Sequence, residues 1–228
     1  MAGRMVIKTS VILSFFLFVL IFCSGGPKKG NTGGDPDDIP AREYDSTFLF
    51  NGKNLDGWEI TNFGPQGPVY VSGESIILSM SDGCTGITYK KEFPENNYKV
   101  TLEAKRLAGT DFFCGMTFPV GKESCTLIVG GWGGAVVGLS NINSMDASDN
   151  QTTNYMNFEK DQWYSISLIV AGDTIRVLID DEVVVNYIKG KHDQLSIRPE
   201  VELSQPFGIA SWYTTAALRN IKMERITD

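Results

Sequence analysis

From Tyr44 onward the chain is a succession of short runs of β-branched and aromatic residues, each cut off by Gly, Asn, Asp or Pro. Such runs stand at 69–71, 75–79, 86–90, 98–104, 112–118, 125–129, 135–140, 163–171, 174–179, 182–187, 207–212 and 217–226. No stretch of useful length keeps a helical period, so the apolar residues have to be buried from strands. The pattern is cleanest in Ser165-Ile166-Ser167-Leu168-Ile169-Val170, where polar and apolar residues alternate. Turns at Ala171-Gly172-Asp173 and Asp180-Asp181 then fold that segment into a three-strand meander. Many short strands joined by tight turns predict an all-β sandwich or jelly roll. A chain of 228 residues has room for one such domain with its own core, once a short leader is set aside.

That leader is legible. Arg4 and Lys8 precede an apolar run from Val11 to Phe22, too short to span a bilayer as a mature helix, and together they read as an export signal. Cys23 follows directly, with Ser24-Gly25-Gly26 after it, as in a bacterial lipobox whose cysteine is lipidated and becomes the mature N-terminus. Phe22 is larger than the residue usual before such a cysteine, and ordinary cleavage near Gly25 is the other reading. Residues 1–23 are thus expected to be a signal peptide, 24–43 a flexible Gly/Pro/Lys/Asp linker, and 44–228 the folded domain. The expected location is the cell envelope, with a lipid anchor as the sole membrane contact, or else the exterior. A net charge of −7 and the lack of a basic cluster in the domain exclude a nucleic-acid partner.

Phe48-Leu49-Phe50-Asn51-Gly52 runs into a turn, and Asp56-Gly57-Trp58 makes a second one ending on an indole. In an extended segment Phe48 and Phe50 would share one face, as core anchors. Further along stand Tyr70-Val71-Ser72-Gly73-Glu74, Phe93 with Asn97-Tyr98, Trp163-Tyr164-Ser165-Ile166 and Arg219-Asn220-Ile221. With these motifs, residues 46–226 resemble the 3-keto-disaccharide hydrolase-like domains, secreted bacterial proteins. The resemblance implies a concanavalin-like jelly-roll β-sandwich of two antiparallel sheets, and it implies action on glycosides, 3-keto-disaccharides among them. Typical members carry carboxylates on an internal strand. Here that stretch reads Cys125-Thr126-Leu127-Ile128-Val129-Gly130-Gly131-Trp132-Gly133-Gly134, with none, so reacting groups have to be sought elsewhere.

Four glycines bracket Trp132, which leaves its indole without packing from sequence neighbours. It is either a plug of the core or a platform for the apolar face of a sugar. Trp212-Tyr213 carries the same two readings, and Thr214-Thr215 would add hydroxyls. In Arg198-Pro199-Glu200-Val201-Glu202 an extended backbone would put both glutamates on one face. They are candidates for a glycosidase carboxylate pair with Arg198 as an anion-stabilising group, or for a surface ion-pair strip. His192 is the single histidine, beside Asp193 in a loop: a substrate contact or a solvated turn residue. Asp111 and Arg106 complete the polar groups near the candidate face. Cys114 and Cys125 flank an expected hairpin and are either a cross-strand disulfide or two buried thiols. No cofactor is expected. Asp146, Asp149 and Asn150, in the long loop 141–158, have the oxygen chemistry of a calcium ligand set without an EF-hand spacing. The sequence therefore points to a carbohydrate partner, bound by a glycoside-cleaving enzyme or by a non-catalytic carbohydrate-binding module.

Overall fold

The computed structural model describes residues 46–227, so the expected signal peptide, Cys23 and the linker lie outside the described residues. The strands in chain order are β1 (Ser46–Phe48), β2 (Trp58–Ile60), β3 (Val69–Ser72), β4 (Ser75–Leu78), β5 (Cys84–Tyr89), β6 (Tyr98–Gly109), β7 (Cys114–Val120) and β8 (Glu123–Gly131). They continue as β9 (Val136–Ser140), β10 (Asn154–Tyr155), β11 (Tyr164–Ala171), β12 (Thr174–Ile179), β13 (Glu182–Ile188), β14 (Gly208–Trp212) and β15 (Thr214–Arg225). One 3₁₀ helix, Pro199–Ser204, lies between β13 and β14.

Two antiparallel sheets face each other. The eight-stranded one runs β13-β12-β11-β6-β15-β4-β3, with β1 also on β15; the seven-stranded one runs β10-β9-β8-β7-β14-β5-β2. The expected sandwich is therefore the observed fold. The alternation that predicted the meander has its cause here: in β6 and β11 every second residue is buried in the core. Val100, Leu102, Ile166 and Leu168 from one sheet meet Met116, Phe118, Leu127 and Val129 from the other. Phe93 stacks on Phe207 at 4.3 Å, and Phe113, Phe158 and Tyr164 pack edge-to-face or tilted, which closes the ends of this core with large apolar areas.

Two sequence expectations change. Leu49 and Phe50 are buried and Trp58 is anchored by its indole N–H, which donates to Leu49 O at 2.7 Å. Phe48, however, is 61 % exposed under the Lys222 ammonium, because β1 ends there and the alternation stops. The hairpin of β7 and β8 forms, but its register sets Cys114 opposite Val129 and Cys125 opposite Phe118. The two cysteines thus sit four ladder positions apart, roughly 13 Å along the strands, far beyond disulfide reach. Both are free and buried, with thiols pushed up to about 12 by that burial.

Candidate functional site

In β7, β8 and β9 the burial does not alternate; every residue from Cys125 to Gly131, and all of β7 and β9, is buried. Inward side chains enter the core, so the outward ones, Thr117, Thr126, Ile128, Val136 and Ser140, must be covered by something else. The covering comes from the 3₁₀ segment, the loop after β9 and Phe112. A Cβ at Gly208 would stand 2.6 Å from Ser204 O, so only glycine lets the 3₁₀ segment lie on β14, and one at Gly138 would press on Ala147 O at 3.0 Å. Phe112 packs against both outer apolar clusters, one around Ala210 and Val201 and the other around Ile128 and Val136.

What remains open is a cleft of about 180 Å³. Cys84, Phe112, Thr126, Ile128 and Ser140 lie toward the sheet; Trp132, Asp111, Trp212, Arg198, Glu200 and Val201 complete the lining. Trp132 sits at the tip of the β8–β9 turn with φ +47° and is 42 % exposed. Its hairpin is held from below by Arg106, a buried guanidinium whose Nη2 donates to Gly130 O (3.3 Å) and Gly134 O (3.0 Å). Phe112 N–H donates to Asp111 Oδ1 at 2.8 Å, which fixes that carboxylate at the start of the loop.

Arg198 organises the charges. Its Nε and Nη2 donate to the two carboxylate oxygens of Glu200 (3.3 and 3.1 Å), and its Nη1 donates to Asp146 Oδ2 at 2.7 Å. This fork holds the Glu200 carboxyl below the usual carboxylate range. Glu200 is therefore ionised at neutral pH: a hydrogen-bond acceptor and a weak base, without the raised pKa that a general acid needs. Cys84 is pushed up to about 12, first by burial and then by the charge of Glu200, so its thiol is inert.

The structure brings together Arg198, Glu200, Trp132 and Trp212 as the sequence suggested. Glu202 is not among them. Pro199 starts a 3₁₀ helix in place of the extended backbone expected, and residues two apart on such a helix point to different sides. Tyr213 is 45 % exposed and packs edge-on against Trp212 outside the lining. His192 is exposed in the turn after β13, away from the cleft. Its neighbour Asp193 is the organising group there, accepting from Tyr187 O–H, Asn143 Nδ2–H and Gly190 N–H. Of the loop oxygens weighed for calcium, Asp146 pairs with Arg198 and Asn150 is spent on backbone carbonyls and Thr152. Among the described residues no three His, Cys, Asp or Glu converge as a metal site. Sequence reasoning missed Phe112, Thr126, Ser140 and Cys84. Strand parity was the available signal for Phe112, Thr126 and Ser140, each one position from a core residue.

Fold and site together define a class: a jelly roll with a small aromatic and charged cleft on the outer face of one sheet. Residues 45–224 match the 3-keto-alpha-glucoside-1,2-lyase-like domain, and the chain belongs to that family. Solved structures of like fold include the carbohydrate-binding module CBM66 from Bacillus subtilis, 18 % identical with TM-score 0.51, over 77 % of this chain and 99 % of that one. Crh5 transglycosylase in complex with NAG is 14 % identical with TM-score 0.57, over 80 % and 84 %. A laminarinase from a Flavobacterium species is 14 % identical with TM-score 0.50, over 80 % and 98 %. The fold is thus shared by carbohydrate-binding and glycoside-acting proteins. Comparison with curated protein sequences gives no match.

Proposed function

We propose that the chain binds a glycoside in the cleft, the sugar ring lying against Trp132 and Trp212 while Arg198, Glu200 and Asp111 meet its hydroxyls. The observation that carries this is the convergence of two indoles and a forked Arg–Glu pair in one solvent-open cleft. Indoles take the apolar face of a pyranose, and ionised groups make strong hydrogen bonds to hydroxyls. Titration calorimetry with a panel of glucosides and their 3-keto derivatives tests it. Saturable binding that the double variant Trp132→Ala, Trp212→Ala abolishes, and that Trp132→Ala alone weakens with Tm preserved, is the expected result; a panel without any binder ends this reading.

A second reading, turnover, is favoured by the family match and by an ionised carboxylate in the cleft. On a 3-keto glycoside, Glu200 would take the C2 proton made acidic by the neighbouring ketone. The C1–O bond would then break, the leaving alkoxide would take a proton from water, Glu200 would return its proton to the hydroxide so formed, and the unsaturated sugar would later be hydrated. Product release from 3-keto-disaccharides that survives Glu200→Gln unchanged removes Glu200 from that chemistry. We also propose that the domain is exported and anchored through Cys23, supported by the apolar run before it. Fatty-acid labelling in the native host that persists in Cys23→Ser would refute the anchor.

A further inference from the structure

The outer face of an antiparallel sheet is a natural groove: a seven-residue strand such as β7 runs about 23 Å, long enough for several sugar rings in a row. In this protein that groove is interrupted. The segment from Pro199 to Gln205 crosses the face as a belt, attached strand by strand. Thr88 Oγ1 on β5 donates to Leu203 O at 3.0 Å, Gly208 on β14 lies under Ser204 O, and Ser124 Oγ at the start of β8 donates to Gln205 Oε1 at 3.1 Å. In sheet order the belt spans β5, β14, β7 and β8.

A second barrier stands just past the end of β9. Residues 141–143 pair with 194–196 through Asn141 N–H to Ser196 O (2.6 Å), Ser196 N–H to Asn141 O (3.2 Å) and Asn143 N–H to Gln194 O (2.8 Å). Asp146, farther along the same loop, is tied to Arg198 at the head of the belt. Away from the belt, Phe112 fills the face between the two outer clusters. The opening left over, about 180 Å³, is below the ~300–1,000 Å³ of sites that enclose drug-sized ligands.

From this closure we infer that the cleft takes the terminal ring of a glycan and sends the remaining chain out through its mouth into solvent. Internal stretches of a polysaccharide have no path across the sheet. The inference rests on the sugar-binding reading of the same cleft. It adds a selectivity for chain ends to that reading.

The test is calorimetric titration of the full-length protein with α-1,4- and β-1,3-linked gluco-oligosaccharides of two to six residues. Each is used free, as its methyl glycoside, and with the non-reducing terminus blocked as a 4,6-benzylidene acetal. Terminal recognition predicts a Kd constant within about twofold from disaccharide to hexasaccharide, because rings beyond the mouth add no contact. It also predicts that one of the two blocked forms, and only one, raises Kd tenfold or more. A Kd that falls tenfold or more with length, with both blocked forms binding as well as the free ones, overturns it in favour of a groove. Failure of every member of both ladders and of their 3-keto derivatives to bind is a different result: it removes the sugar-binding reading, and this inference with it.

Discussion

Each outer face of the sandwich carries a tryptophan beside an Arg–Glu ion pair, and the two faces use these residues in opposite ways. On the eight-stranded sheet Trp163 carries two cations over its ring, the Arg219 guanidinium 4.1 Å and the Lys105 ammonium 4.6 Å from its centroid. Arg219 Nε and Asn220 Nδ2 both donate to Glu103 Oε2 at 2.6 Å. The indole faces are spoken for and the patch is complete. On the seven-stranded sheet Arg198 turns its donors toward Glu200 and Asp146, and neither Trp132 nor Trp212 carries a cation on its ring among the described contacts. Composition does not separate a site from a surface; the difference is whether the aromatic faces are already occupied. Glycines around Trp132 and the crossing belt keep the second set open.

The comparison breaks first, if it is wrong, at the tryptophans. Trp132→Ala or Trp212→Ala should each cost on the order of 2 kcal/mol of glycoside binding, about thirtyfold in Kd. For Trp132, at an exposed turn, the unfolding free energy should stay within about 0.5 kcal/mol of the parent. Trp163→Ala should do the reverse. Loss of two cation–π contacts weakens the fold by about 1–2 kcal/mol in urea titration, with glycoside Kd unchanged. A binding defect in the Trp163 variant would make the eight-stranded face part of the site. Smaller still is Arg219→Ala. It removes the partly exposed pair with Glu103 and one of the two cations on Trp163 but leaves the indole packed, so the change should stay at or below about 1.5 kcal/mol in stability and be absent in binding.

The fold was legible because its strands obey simple periodicity. Where one face meets the core and the other meets water, as in β6, β11 and β12, alternation gave both strand and orientation. Strands covered on both faces carry no such alternation, so the sequence of β7 to β9 revealed extended structure without saying that loops lie on it. Half the site follows the same division. Trp132 stood out through its glycines and Trp212 through its neighbouring tyrosine. Glu200 lines the cleft and Glu202 does not for one reason: Pro199 is compatible with extended backbone and with the first turn of a helix, and nothing local decides between them. The Arg198–Asp146 contact joins residues 52 apart, a separation that no spacing rule reaches. Phe48 failed through an end effect, since alternation across Phe48–Phe50 requires a strand that in fact stops at Phe48.

The smallest expected effect concerns protons and addresses both faces at once. Glu103 and Glu200 are each held below the ordinary carboxylate range, chiefly by hydrogen bonds from Arg219 and Arg198. A depressed folded-state pKa means that the ionised form is favoured by folding. Its stabilisation is therefore complete above the unfolded value of about 4.3 and is lost as pH falls through the lower folded value. Between pH 8 and 5 neither stability nor glycoside affinity should change on account of these groups. Below about pH 4, Glu103 contributes a small loss of stability that Glu103→Gln removes, while protonation of Glu200 weakens glycoside binding and leaves the opposite face intact. Carboxyl carbon shifts followed by NMR separate the two titrations directly. A Glu200 midpoint above about 4.5 would mean that Arg198 does not hold it in solution. The carboxylate would then be a stronger base while still ionised at neutral pH, and the balance between binding and proton abstraction in this cleft would tip toward abstraction.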